Sequence, residues 1–150
     1  MASSSLGENQ VTQVGLVVEN LDQAVQDWSR LLGVDLPSII ITDAVDLAHT
    51  KYQDRPTPAQ ARIAFFNLGQ VTLELIQPLG DPSTWNDQLV GHGPSLHHIA
   101  FEIKGMEERI QELQKQGMQL VQSGDYHGGR YAYLDGQNQF GTVIELLEND

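Results

Sequence analysis

Cysteine is absent from all 150 residues. That excludes disulfides, thiolate metal ligands and thiol catalysis, so any metal must be held by histidine, carboxylate or amide oxygen. Cations are nearly as scarce, with 8 Lys and Arg against 20 Asp and Glu and a formal charge of -12. Nucleic acid and anionic membrane are poor partners for such a surface, and a coenzyme A tail has few places to anchor. No apolar run approaches the ~20 residues of a membrane span. The opening MASSSLGENQ also lacks the basic start and apolar stretch of a signal peptide. The expectation is a cytoplasmic protein with a disordered stretch over 1–10, then one domain over 11–150, long enough to bury a core. Residues 34–70 contain no glutamate, which removes the commonest carboxylate base from much of the first half.

What the chain does have is a repeat. VTQVGLVV at 11–18 fits a buried strand, and NLDQAVQDWSRLLG at 20–33 fits an amphipathic helix capped by Asn20 and stopped by Gly33. The same order returns as LHHIAFEI at 96–103 and GMEERIQELQKQG at 105–117. Further strands are expected at 36–42 and 62–69 in the first half, and at 118–123 and 129–135 in the second. Each half closes on a strand with an apolar-Glu-Leu triplet, VTLELIQP at 71–78 and TVIELLE at 142–148. The fold class is therefore α+β: two pseudo-symmetric β-α-β-β-β modules, at 11–80 and 96–148, whose equivalent positions face each other across the axis. The first half alone carries a long connection at 43–61, expected as a surface loop in which His49, Lys51 and Tyr52 belong to a lid or specificity segment. Asp43, Asp46 and Asp54 in that loop are expected to face solvent.

Adjacent His97 and His98 raise a choice, because neighbours on a strand point to opposite faces. Aligning the opening strands matches Gln13 with His98, and aligning the closing strands matches Glu74 with Glu145. His98 is thus expected in the site and His97 on the other face of the sheet. One amide oxygen, one imidazole and two carboxylates suit a divalent ion, with Zn²⁺, Ni²⁺, Co²⁺ and Mn²⁺ all acceptable. Taken singly, each would pass as a solvent-facing or hydrogen-bonded strand residue. The two matched pairs make the case.

Over about 11–148 the sequence resembles the vicinal oxygen chelate superfamily, which includes glyoxalase I, methylmalonyl-CoA epimerase, extradiol dioxygenases and bleomycin-binding proteins. In texture VTLELIQPLG and GPSLHHIAFEI are similar to the epimerase branch, whereas Gln13, Glu74, His98 and Glu145 together resemble the ligand set of eukaryotic glyoxalase I. The resemblance implies a divalent-metal-dependent isomerase, epimerase or lyase acting on a small-molecule carbonyl or thioester substrate by proton abstraction, through an enediolate. It also implies that the two modules form a cupped sheet around a metal site, with metal ligation by those four residues, Glu145 as catalytic base with Glu74 as its symmetry partner, and a homodimer. Two alternatives stay open: a metal-free small-molecule binding protein of the bleomycin-resistance type, and a natural-product pathway cyclase or isomerase. Tyr131 and Tyr133, on one face of the strand in YHGGRYAYLD, and Arg130 are the candidate substrate-pocket residues. Trp28 is expected in a helix core, and Trp85 as a loop anchor.

Overall fold

The computed structural model describes residues 4–150. Of the expected disordered stretch, residues 1–3 lie outside the described part. Residues 4–10 form no helix or strand, yet Leu6 packs on the second module's apolar core and Arg109 donates to the Ser5 carbonyl at 3.3 Å.

Module one runs β1 (Val11–Val17), α1 (Leu21–Leu32), β2 (Ile39–Ile41), then, past an insertion, β5 (Gln60–Asn67) and β6 (Thr72–Leu79). Within the insertion lie α2 (Val45–Ala48), β3 (Lys51–Tyr52) and β4 (Arg55–Pro56). After the connecting α3 (Thr84–His92), module two runs β7 (Ser95–Glu102), α4 (Met106–Lys115), β8 (Leu120–Tyr126), β9 (Gly129–Leu134), α5 (Gln137–Phe140) and β10 (Val143–Asn149). Local chemistry sets the boundaries as expected for α1. The Asn20 side chain accepts from the Gln23 amide, and Gly33 takes a left-handed φ of 69° that a Cβ would disfavour.

The ten strands form one sheet in the order β2-β5-β6-β1-β7-β10-β9-β8-β3-β4. β1 lies parallel to β6 and β7 parallel to β10, while β1 and β7 join the modules antiparallel. The expected symmetry is visible in the register: Gln13 pairs with Ala100 and Gly15 with His98, so the same shift that carries Gln13 to His98 carries one pair into the other.

Apolar burial falls into three clusters. On the convex side α1 covers Ala64, Phe66, Leu73 and Leu75, and the α4 residue Leu113 packs with Ala132, Leu134, Ile144 and Leu146. On the concave side Val17, Ile63, Ile76, Trp85, Tyr133 and Val143 make a third core beneath the site. Burying both faces is what makes the central strands nearly continuous in apolar residues.

The insertion is more than a surface loop. Its short hairpin pairs Lys51 with Ser123 and Tyr52 with Gln122, so a segment of module one extends the sheet of module two. His49 Nδ1 lies 2.9 Å from Asp125 Oδ2 and ties α2 to β8. α3 was not anticipated either; the Ser83 side chain caps it by accepting from the Asn86 amide.

Candidate metal centre

Two small residues floor the site. Gly15 pairs with Glu74 on one side and His98 on the other, and Ala100 pairs with Gln13 and Glu145. Register neighbours project to the same face of a sheet, so all four polar side chains are carried on the concave surface. Gly15 is obligatory for a steric reason, since a Cβ there would meet His98 Cε1 at 2.1 Å.

His98 Nε2 lies 3.1 Å from Glu145 Oε1 and 3.2 Å from Glu74 Oε1. All three residues are buried, and none of these atoms has a hydrogen-bond partner. Buried polar atoms are almost always satisfied, so three orphans converging on one point need a common occupant. Ligands at about 2.1 Å from an ion are separated by about 3.0–3.4 Å for right-angled to tetrahedral geometry. The spacing fits. Among the described residues, Glu74, His98 and Glu145 are the His, Asp and Glu set placed to hold an ion. Gln13 lines the same cavity and can add an amide oxygen.

Electrostatics agree with a cation there. Burial works against charge on His98, but Glu145 and then Glu74 outweigh it and raise its pKa to about 10. Glu145 is pushed up by burial and by Glu74, against the pull of His98 and of the neighbouring Tyr133 hydroxyl. In the absence of an ion, a proton on His98 substitutes for it.

A cavity of about 570 Å³ opens over these groups. Tyr131 and Tyr133 line it, and Tyr133 accepts from the Trp85 indole at 2.9 Å. Trp85 is thus a buried part of the cavity floor on α3, not a loop anchor. Ile40, Ile41, Ile63 and Phe65 form an apolar wall. Phe65 sits beside Glu74 where Tyr133 sits beside Glu145. Arg130 is not brought to the cavity; it pairs with Glu148 at 2.9 Å and with Asp150. Asp43, expected to face only solvent, lines the mouth, as do Glu102, Asp125 and His127. Sequence reading overlooked Glu102, although it shares the strand parity of His98.

His97 also departs from expectation. Gly15 pairs with His98 but the next residue, Leu16, pairs with Leu96, so His97 is the extra residue of a β-bulge. The bulge breaks the alternation and turns both rings to one side. Their Nδ1 atoms lie 2.8 Å apart, and both rings pack against Tyr133.

A family model for the glyoxalase/bleomycin resistance protein/dioxygenase superfamily matches residues 12–133. The chain belongs to that superfamily. An Actinomyces sp. 2-epi-5-epi-valiolone epimerase is 28% identical, the match covering 91% of this chain and 78% of the relative. Bacillus subtilis (strain 168) YqjC, whose function is uncharacterized, is 27% identical over 93% of this chain and 92% of its own. The solved Mycobacterium tuberculosis methylmalonyl-CoA epimerase superposes with a TM-score of 0.62 over 100% of this chain and 93% of its own, at 22% identity. At that identity the superposition speaks for the superfamily fold. No described helix is long and apolar enough to cross a membrane.

Proposed function

We propose that this superfamily member is a divalent-metal-dependent epimerase or isomerase, or a lyase of the same chemistry, acting on a carbon acid next to a carbonyl. The observation that carries the reading is the convergence of Glu74 Oε1, His98 Nε2 and Glu145 Oε1 as buried, unpartnered atoms. These residues, with Gln13, would hold the ion. When bound, a divalent ion supplies Lewis-acid stabilisation of negative charge growing on a substrate oxygen. Glu145, made more basic by burial, accepts the proton from carbon. Glu74, its match across the pseudo-twofold axis, is the second carboxylate able to return one. Tyr131 and Tyr133 offer hydroxyls for orientation, and the apolar wall limits water.

The charge inventory narrows the substrate. Among the described residues lining the cavity there is no Lys or Arg, while Asp43, Glu102 and Asp125 ring its mouth. Phosphates and carboxylates would be repelled, which favours an uncharged carbonyl compound over a coenzyme A thioester. Relatives exist on both sides of that line: one epimerase is named for valiolone and others for methylmalonyl-CoA.

Elemental analysis of protein purified without chelator tests the centre. One divalent ion per chain in the wild type, lost in Glu145→Ala, is expected; absence after loading with Zn²⁺, Ni²⁺, Co²⁺ and Mn²⁺ would leave a metal-free binding pocket as the better reading. Deuterium exchange in D₂O, screened over neutral hydroxyketones, hemithioacetals and acyl-CoAs, then assigns the substrate class. Exchange confined to acyl-CoAs would refute the charge argument.

A further inference from the structure

We propose that His97 is a positioning residue: a buried hydrogen-bond chain anchored on the Thr84 backbone amide holds His97 as its Nε2–H tautomer, which fixes a proton on His98 Nδ1 and leaves His98 Nε2 as the nitrogen that an ion between Glu74 and Glu145 can take by displacing its proton. Its purpose rests on the metal-centre reading above; its geometry does not.

The direction of each bond follows from the anchor. The Thr84 N–H lies 2.8 Å from Gln122 Oε1, and a backbone amide can only donate, so the Gln122 carbonyl faces it. The other end of the Gln122 amide donates to the Tyr131 hydroxyl at 3.1 Å, which fixes the group at both ends. Thr84 Oγ1 is 3.2 Å from the same Oε1, and because a carbonyl oxygen only accepts, the threonine hydroxyl donates to it. With its proton committed, Oγ1 must accept from His97 Nε2, 3.1 Å away. His97 is only 1% exposed, and its two nitrogens face a threonine hydroxyl and another imidazole with no carboxylate to balance a charge, so it is neutral and its Nδ1 is bare. That Nδ1 lies 2.8 Å from His98 Nδ1, which therefore carries the donated proton.

The reverse polarity would leave Thr84 Oγ1 and Gln122 Oε1 with no proton between them. It would also leave neutral His98 with its one proton on Nε2, in place of the lone pair an ion needs. Metal-binding histidines commonly have their second nitrogen fixed by an outer partner. Here the partner is the preceding residue, and only the bulge allows the two rings to meet. The chain ends at Tyr131 on the cavity wall, so it ties the pocket lining to the ligand.

The test uses the whole protein in two measurements. Long-range ¹H–¹⁵N correlation spectra of metal-free protein should show His97 neutral and protonated at Nε2. Thr84→Val, which keeps the shape but removes the hydroxyl, should mix its tautomers, and Thr84→Ser should restore the wild-type signature. In competition with a chromogenic chelator, Thr84→Val should bind Zn²⁺ about 10-fold more weakly, within the ~10–100-fold range for loss of an outer partner. Thr84→Ser should stay within about twofold of wild type. Wild-type His97 protonated at Nδ1 would overturn the proposal, as would a Thr84→Val protein with unchanged tautomer and unchanged Zn²⁺ affinity. If the tautomer is as stated but the wild type binds no metal, the chain of bonds stands and the metal reading falls.

Discussion

Replacing Gly15 with alanine tests the architecture of the centre through one methyl group. The added Cβ would stand 2.1 Å from His98 Cε1 and 2.5 Å from Nε2, where ordinary contact begins at 3.4 Å. The imidazole would have to retreat by more than 1 Å, and it has nowhere to go, with His97 and Tyr133 packed against it. Two effects on stability compete. Gly15 has no unusual φ, so alanine lowers the entropy of the unfolded chain and gains about 0.4–1 kcal/mol. Overpacking a buried site costs about 1–3 kcal/mol. Strain wins, and Gly15→Ala should be less stable by about 1–2 kcal/mol in urea melts of the metal-free protein. The larger effect is on metal, because a usable site tolerates only about 0.2 Å in ligand distances. Zn²⁺ affinity should fall by about 100-fold or more, beyond the usual effect of losing an outer partner. In a His98→Ala background the clash partner is gone, so adding Gly15→Ala should leave only the gain of about 0.4–1 kcal/mol, a coupling equal to the strain of about 1–3 kcal/mol. A Gly15→Ala protein with wild-type stability and wild-type Zn²⁺ affinity would refute the register-based account of the site.

His98 also sets a pH dependence. Its pKa in the metal-free fold is raised to about 10, so its stabilisation is complete below the unfolded value near 6.5 and is lost as pH rises through about 10. The metal-free melting temperature should therefore drop between pH 6.5 and 9.5 more steeply in wild type than in His98→Gln; equal slopes would contradict this. For the same reason metal must displace the His98 proton, and Zn²⁺ affinity should rise about tenfold per pH unit from 6.5 to 8.5. Tyr133→Phe strands the buried Trp85 N–H, which donates to that hydroxyl at 2.9 Å, and should destabilise by about 1–3 kcal/mol in urea melts. By contrast, Asp125→Asn loses only a half-exposed pair with His49 and should change stability by less than about 1 kcal/mol.

The parts of the fold that were legible in sequence are those written in long periods. α1 and α4 carry apolar residues at helical spacing, and the duplication aligned Gln13 with His98 and Glu74 with Glu145 without structural help, the correspondence the sheet register then displays. Strands of two residues, β3 and β4, are too short to carry any period, so the hairpin in the insertion read as loop. A bulge leaves no mark in composition, and strict alternation therefore put His97 on the wrong face. Arg130 reads as a candidate pocket residue in the sequence because it follows a glycine turn and stands next to Tyr131 and Tyr133. Its partners, Glu148 and Asp150, come from the far end of the chain and are brought beside it only by the pairing of β9 with β10. The cavity-facing position of Asp43 likewise depends on how the insertion packs, which no local pattern encodes.

Duplication gives a protein two copies of everything, and two identical carboxylates cannot tell the left side of a flat molecule from the right. Phe65 and Tyr133 occupy matching places beside Glu74 and Glu145, and they differ by a single oxygen atom. That oxygen gives one carboxylate a companion the other lacks, so a ligand lying over the pair meets two unlike sides. Handedness in this centre comes from the differences between its two halves, in the hydroxyl of Tyr133 set against Phe65 as in the imidazole of His98 set against the amide of Gln13.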